Sequence, residues 1–175
     1  MNNNSDNADM IREAYAAIGG LTPVKNFNCG KLCGGVCCKG DSAGMLLFPG
    51  EEDILKEVPG FYIEEIEYMD KSGIKLLMCD GVCDRDTRPF SCRIFPVAPD
   101  VDKKGNVSVQ PDIRGRNMCP LWDLDPEHVD ENFVAAVGKA FEILSKNKKM
   151  LALMRLISAE IAEYKRFYKS FKDPF

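Results

Sequence analysis

Between Cys29 and Cys38 the chain reads Cys-Gly-Lys-Leu-Cys-Gly-Gly-Val-Cys-Cys, four thiols in ten residues with glycines between them. Cys79, Cys83, Cys92 and Cys119 follow, each in turn-rich sequence. A tetrahedral zinc site takes four thiolate or imidazole ligands, with two to four residues between paired cysteines. Cys29 and Cys33, Cys33 and Cys37, and Cys79 and Cys83 meet that spacing. Glycine suits such loops because backbone must fold around a ligand pair, often with φ > 0. Iron–sulfur clusters use the same ligands and spacings, which leaves zinc and iron both open. His128 is the single histidine, so ligation is expected to be almost entirely by sulfur. All eight cysteines are candidate ligands, and eight sulfurs allow two four-ligand sites, one site with spare thiols, or one cluster.

Cys37 and Cys38 carry geometric information of their own. Adjacent Cα atoms lie about 3.8 Å apart, below the span of about 4.4 Å at which disulfides begin. A bridge between them would be strained, and in extended backbone the two thiols face different places. One thiol then ligates while the other packs or serves a second metal. Cys119 and one of this pair are the thiols most readily set aside as buried free cysteines, which behave as small hydrophobes. Arg88 and Arg93 flank Cys92 and can offset the negative charge of a four-thiolate site. The alternative is local salt bridges with Asp84, Asp86 or the acids at 64–67.

At 175 residues the chain is expected to form a single domain over 1–175, with a cysteine-rich part over 8–124 and C-terminal helices over 125–175 packed on it. A chain of this size buries roughly 70% of its unfolded surface. It does not need cysteine staples merely to fold. The net charge of −4 argues against broad binding to nucleic acid or anionic membrane. The basic runs at 146–149 and 165–172 are interleaved with acids and read as a solvated helix face. The start is polar, without the basic and apolar regions of an export signal. No apolar run approaches the roughly 18 residues of a membrane span. A cytoplasmic location is expected, and a reducing compartment favours metal ligation over disulfides.

The elements that must position these thiols read as α+β: short β-hairpins around a small cysteine-rich metal-binding core, closed by a C-terminal helical hairpin. Residues 1–7 read as a disordered lead. Asp9 is expected to cap a helix through Ile18, ended by Gly19-Gly20. Residues 45–48 read as a buried strand, and Glu51, Glu52 and Asp53 as the first turn of a short helix. Residues 61–69 are expected to turn at 71–73 into a strand delivering Cys79. A second hairpin is expected from Arg93–Ala98 into 107–109, with Pro96 and Pro99 confining its first arm to an edge. Asp125-Pro126-Glu127 reads as a helix start. Two apolar stripes follow, one from Val129 to Leu144 and one from Met150 to Phe171, as a hairpin or one long kinked helix.

The run Cys33-Gly34-Gly35-Val36-Cys37-Cys38, with Cys79, Cys83, Cys119-Pro120 and the segment Arg88-Pro89-Phe90-Ser91-Cys92-Arg93-Ile94-Phe95-Pro96, resembles a known family. This is the family of cysteine-rich zinc- or iron-chelating proteins described by a CxxCxxCC signature. Arg-Pro-x-x-Cys-Arg-x-Phe-Pro is its most specific element, and the similarity covers about 27–120. The first spacings here are three residues rather than two, and the segment after Cys83 is one residue short. The resemblance implies metal chelation, with zinc expected and iron or an iron–sulfur cluster as the alternative.

Flagellin lysine-N-methylases look similar through the same cysteine module, so a protein-modifying methyltransferase is one competing reading. No glycine-rich cofactor turn follows a strand here to support it. A thiol redox enzyme is another, with Cys38 between Cys37 and Lys39 as its thiol. His128 reads as a surface residue rather than a general base, and no catalytic motif stands out beyond the cysteines. A third reading makes the metal structural and gives Tyr164, Phe167, Tyr168 and Phe171 to an unidentified protein partner; an ordinary core stripe looks the same.

Overall fold

A computed structural model describes residues 4–25, 27, 29–38, 44–81, 83–123 and 129–172. The fold is α+β, with helices at both ends and two small antiparallel sheets between them. Helix α1 spans Asn4–Ile18. It begins five residues before the expected Asp9 cap; Asp9 instead lies inside it and pairs with Arg12 at 2.7 Å. The helix stops where expected, at Gly19 with φ +54°, a left-handed conformation that glycine adopts without a Cβ penalty.

After a four-residue helix α2 (Cys29–Leu32), strand β1 (Met45–Leu47) leads to helix α3 (Glu52–Leu55). Strands β2 (Phe61–Tyr68) and β3 (Lys71–Cys79) form the expected hairpin, and the sheet order is β1-β3-β2. Its turn is not at 71–73. Met69 and Asp70 make it, with φ of +49° and +58°, because two left-handed central residues match the twist of the flanking strands. β3 ends on Cys79, opposite Phe61.

The segment around Cys92 departs from expectation. Phe90–Ile94 is a helical turn, α4, so Arg93 and Ile94 do not join a strand. Phe90 and Ile94, four residues apart, are both buried, at 0% and 4% exposure, one helical turn apart on the same face of α4. The second hairpin therefore starts later, as β4 (Val97–Val101) paired with β5 (Val107–Pro111). Asp102 closes its turn by accepting from the amides of Lys104 and Asn106.

The expected helix start at 125–127 lies outside the described residues, as does His128. Helix α5 runs Glu131–Ser145, and its N-cap is Asp130, which accepts from the Asn132 amide at 2.9 Å. Val129 is not on its stripe; it bridges to Val24. Helix α6 (Lys148–Lys172) follows after a break of two residues rather than as one kinked helix. Asn147 makes the break by capping Lys149 at 2.9 Å while donating to Asn7 at 2.7 Å.

The main core joins Ile11, Ala14 and Ile18 of α1 to Phe133, Val137 and Phe141 of α5 and Met150, Met154 and Ile161 of α6. Phe90 sits inside it, edge-on to Phe48 at 5.0 Å and to Phe141 at 6.1 Å. α4 is thereby fastened to the rigid interior, and Cys92 rides on it. Tyr164 and Phe167, farther along α6, are 42% and 59% exposed, outside the buried stripe. No described helix is long and apolar enough to cross a membrane.

Candidate metal centre

Each cysteine is presented by a turn or an element end, where backbone is free to bend around a ligand. Cys29 opens α2, and its carbonyl accepts from the Cys33 amide and thiol at 3.4 and 3.6 Å. Gly34 and Gly35, at φ +64° and +69°, reverse the chain into a 3-10 turn over Val36–Cys38. Cys79 ends β3, and Cys83 follows Gly81, whose φ is +79°. Cys92 lies in α4. Cys119 leads a 3-10 turn over Pro120–Asp123 and donates its amide to Gly115 at 2.7 Å.

The fold brings these segments around one cavity of about 460 Å³. Cys29, Cys33, Cys37 and Cys38 line it from one stretch, and Cys83, Cys92 and Cys119 from three others. Cys79 is not in this wall, although it is near enough to Cys92 to repel its thiolate. All eight thiols are free, with no disulfide among the described residues. Cys37 and Cys79 are exposed, Cys119 is buried, and the others are half-buried. The thiols form a wall and not yet a clasp: among the described residues, no three cysteine, histidine or carboxylate side chains sit together at metal-holding range.

The electrostatics are those of crowded thiols in a partly dry setting. Burial pushes the Cys92 thiol up, reinforced by Cys38 and Cys83. Burial likewise raises Cys29 and Cys119. Cys37 and Cys38 sit 4.0 Å apart, sulfur to sulfur. Their hydrogen bond pushes Cys37 up and brings Cys38 down to about 6, with Arg88 helping to lower it.

Three arginines border the thiols. Among the described residues none of Arg85, Arg88 and Arg93 forms an ion pair with a carboxylate, so the salt-bridge expectation for Arg88 and Arg93 does not hold. Arg93 donates to the carbonyls of Arg88 at 2.7 Å and Asp86 at 2.5 Å, and lies 4.1 Å above the Tyr15 ring. Arg85 donates to the carbonyls of Gly20 and Leu21. The Arg88 guanidinium donates to the Cys83 thiol; burial opposes its charge, but Cys83, Cys38 and Cys92 outweigh that and hold it protonated. Its Nε is buried without a partner, as is Trp122 Nε1 near Cys119. Buried unpaired donors are costly.

The residue that sequence reasoning missed here is Glu51. It reads as an ordinary helix-start acid, yet it is fully buried. It accepts from the Tyr15 hydroxyl at 2.6 Å, the Phe48 amide at 2.8 Å and the Phe90 amide at 2.5 Å. The last bond satisfies the start of the helix that carries Cys92, whose N-cap, Pro89, offers no side-chain cap. Nothing local marks this role, because its partners lie 36 and 39 residues away in sequence.

Seven thiols and the Arg88 guanidinium face the same cavity, a donor set of the soft kind. No family model, curated protein or solved structure matches the chain.

Proposed function

We propose that this chain is a metal-chelating protein that holds zinc, or iron including an iron–sulfur cluster, through cysteine thiolates in the reducing cytoplasm. The observation that carries this reading is the convergence of seven free thiols, from segments up to 90 residues apart, on one cavity. Packing alone does not call for it, since the main hydrophobic core contains no cysteine. Arg85, Arg88 and Arg93, none in an ion pair with a carboxylate among the described residues, support the same reading, because a four-thiolate zinc site carries net negative charge that must be offset. When bound, the metal supplies cross-linking between these loops, and its sulfur ligands are deprotonated.

Elemental analysis of protein purified anaerobically without chelator tests this reading. At least one zinc or iron per chain is expected, with visible absorbance if iron is present. Less than about one metal per chain defeats it. The resemblance to the CxxCxxCC chelating family, and through it to flagellin lysine-N-methylases, adds an implied class and no reaction. A thiol redox role would rest on the Cys37–Cys38 pair at 4.0 Å, and the strain of a bridge between neighbouring residues weighs against it.

A further inference from the structure

We propose that Glu51 is a positioning residue for the metal centre: it holds Cys92 in place before metal arrives, as the fixed ligand onto which the 29–38 segment closes. This inference rests on the chelation reading above.

The first ground is where the Glu51 side chain goes. Glu51 is the N-cap residue of α3, yet its carboxyl makes no cap bond to that helix. It is fully buried instead, and a carboxyl in an apolar interior is unfavourable unless it is hydrogen-bonded. Its bonds reach three other segments, through Tyr15 of α1, Phe48 just after β1 and Phe90 of α4. A serine or aspartate directly before α4 would cap that helix locally. A cap from 39 residues away also fixes where α4 lies.

The second ground is how the neighbours of Cys92 are tied. Phe90 and Ile94 belong to the main core. Ser91 Oγ donates to the Leu46 carbonyl at 2.8 Å. Arg93 donates to the carbonyls of Arg88 and Asp86 and lies over the ring of Tyr15, whose hydroxyl donates to Glu51. Glu51, Tyr15, Arg93 and Phe90 thus close a ring of contacts around the turn, and Cys92 within it lines the cavity.

The third ground is the contrast with the 29–38 segment. Neither α2 nor the turn over Val36–Cys38 contains a buried residue, and Leu32 and Val36 are exposed. Gly34 and Gly35 between them sit at positive φ. Among the described residues no three ligating side chains stand together at metal-holding range, so the thiols must move to clasp one ion. Segments with little buried surface move at the least cost. Cys92 is then the fixed point.

Two measurements on the whole chain test this role: alkylation of the metal-free, reduced protein mapped by mass spectrometry, and zinc affinity by competition with a chromophoric chelator. Glu51→Ala should speed Cys92 alkylation relative to Cys29 and Cys33 on the order of tenfold, and weaken zinc binding about 10–100-fold. Glu51→Gln, whose amide oxygen still accepts from the Phe90 amide, should stay close to wild type in both. Ile161→Ala, a buried truncation on α6, controls for stability lost elsewhere and should leave both unchanged. Equal effects in Glu51→Ala and Ile161→Ala, no effect in Glu51→Ala, or faster Cys92 alkylation with unchanged zinc affinity overturns the positioning role and leaves chelation intact. A wild-type chain that holds no metal overturns both. Should Glu51→Ala fail to fold, Glu51→Asp, one methylene short of the Phe90 amide, is judged by the same outcomes.

Discussion

Gly81 presses against the carbonyl oxygen of Cys38 with no room for a side chain: a Cβ there would lie 2.6 Å from that oxygen, and φ is +79°. The contact joins two cysteine-bearing loops more than forty residues apart in sequence. Gly81→Ala combines this clash with left-handed strain. It should destabilise the fold by about 1–3 kcal/mol and reduce metal retention. Urea unfolding with parallel metal analysis reads both effects, and wild-type metal content would contradict the packing described here.

Arg88 is expected to act on the metal through the thiols. Loss of a group that hydrogen-bonds a ligand typically costs about 10–100-fold in metal affinity. Arg88→Gln should fall in that range with an unchanged far-ultraviolet spectrum. Arg88→Lys should recover little, since an ammonium group lacks the planar fork. Competition with a chromophoric chelator measures the difference.

Glu51 links stability to pH. Burial holds its carboxyl above the usual carboxylate range, against the pull of its three donors. The folded chain therefore binds that proton more tightly than the unfolded chain. Its stabilising contribution is complete below about pH 4.3 and is lost as pH rises toward the folded value. Glu51→Gln should flatten the fall in unfolding free energy above that pH, at a cost on the order of 1–3 kcal/mol for the disturbed hydrogen bonds. Denaturant titrations at several pH values check the slope; parallel wild-type and variant slopes would exclude Glu51 as its source.

Metal removal should act locally. The main core of α1, α5 and α6 contains no cysteine, so it keeps its own burial without metal. Chelation should speed amide hydrogen exchange in the segments around 29–38 and 79–83, while α5 and α6 stay protected. Loss of protection throughout the helices would mean that the metal holds the whole fold.

The α+β class, the β2–β3 hairpin ending on Cys79 and the buried stripes of α5 and α6 were legible in the sequence. Periodic burial leaves a repeating mark along the chain, and so does glycine-spaced cysteine. Short elements leave no such mark. α4 exists because Phe90 and Ile94 are both buried and because Glu51, thirty-nine residues before Phe90, satisfies the Phe90 amide. Asp130 caps α5, where Val129 bridges back to Val24.

The thiols divide the same way. Their number and their spacing along the chain are enough to point to soft-metal chemistry. Which sulfur faces which depends on loops meeting across the fold, Gly81 against Cys38 and Cys119 beside Cys29 and Cys33. Local sequence sets the ligand type. Long-range packing sets the partners, because contacts between distant segments carry no local periodicity.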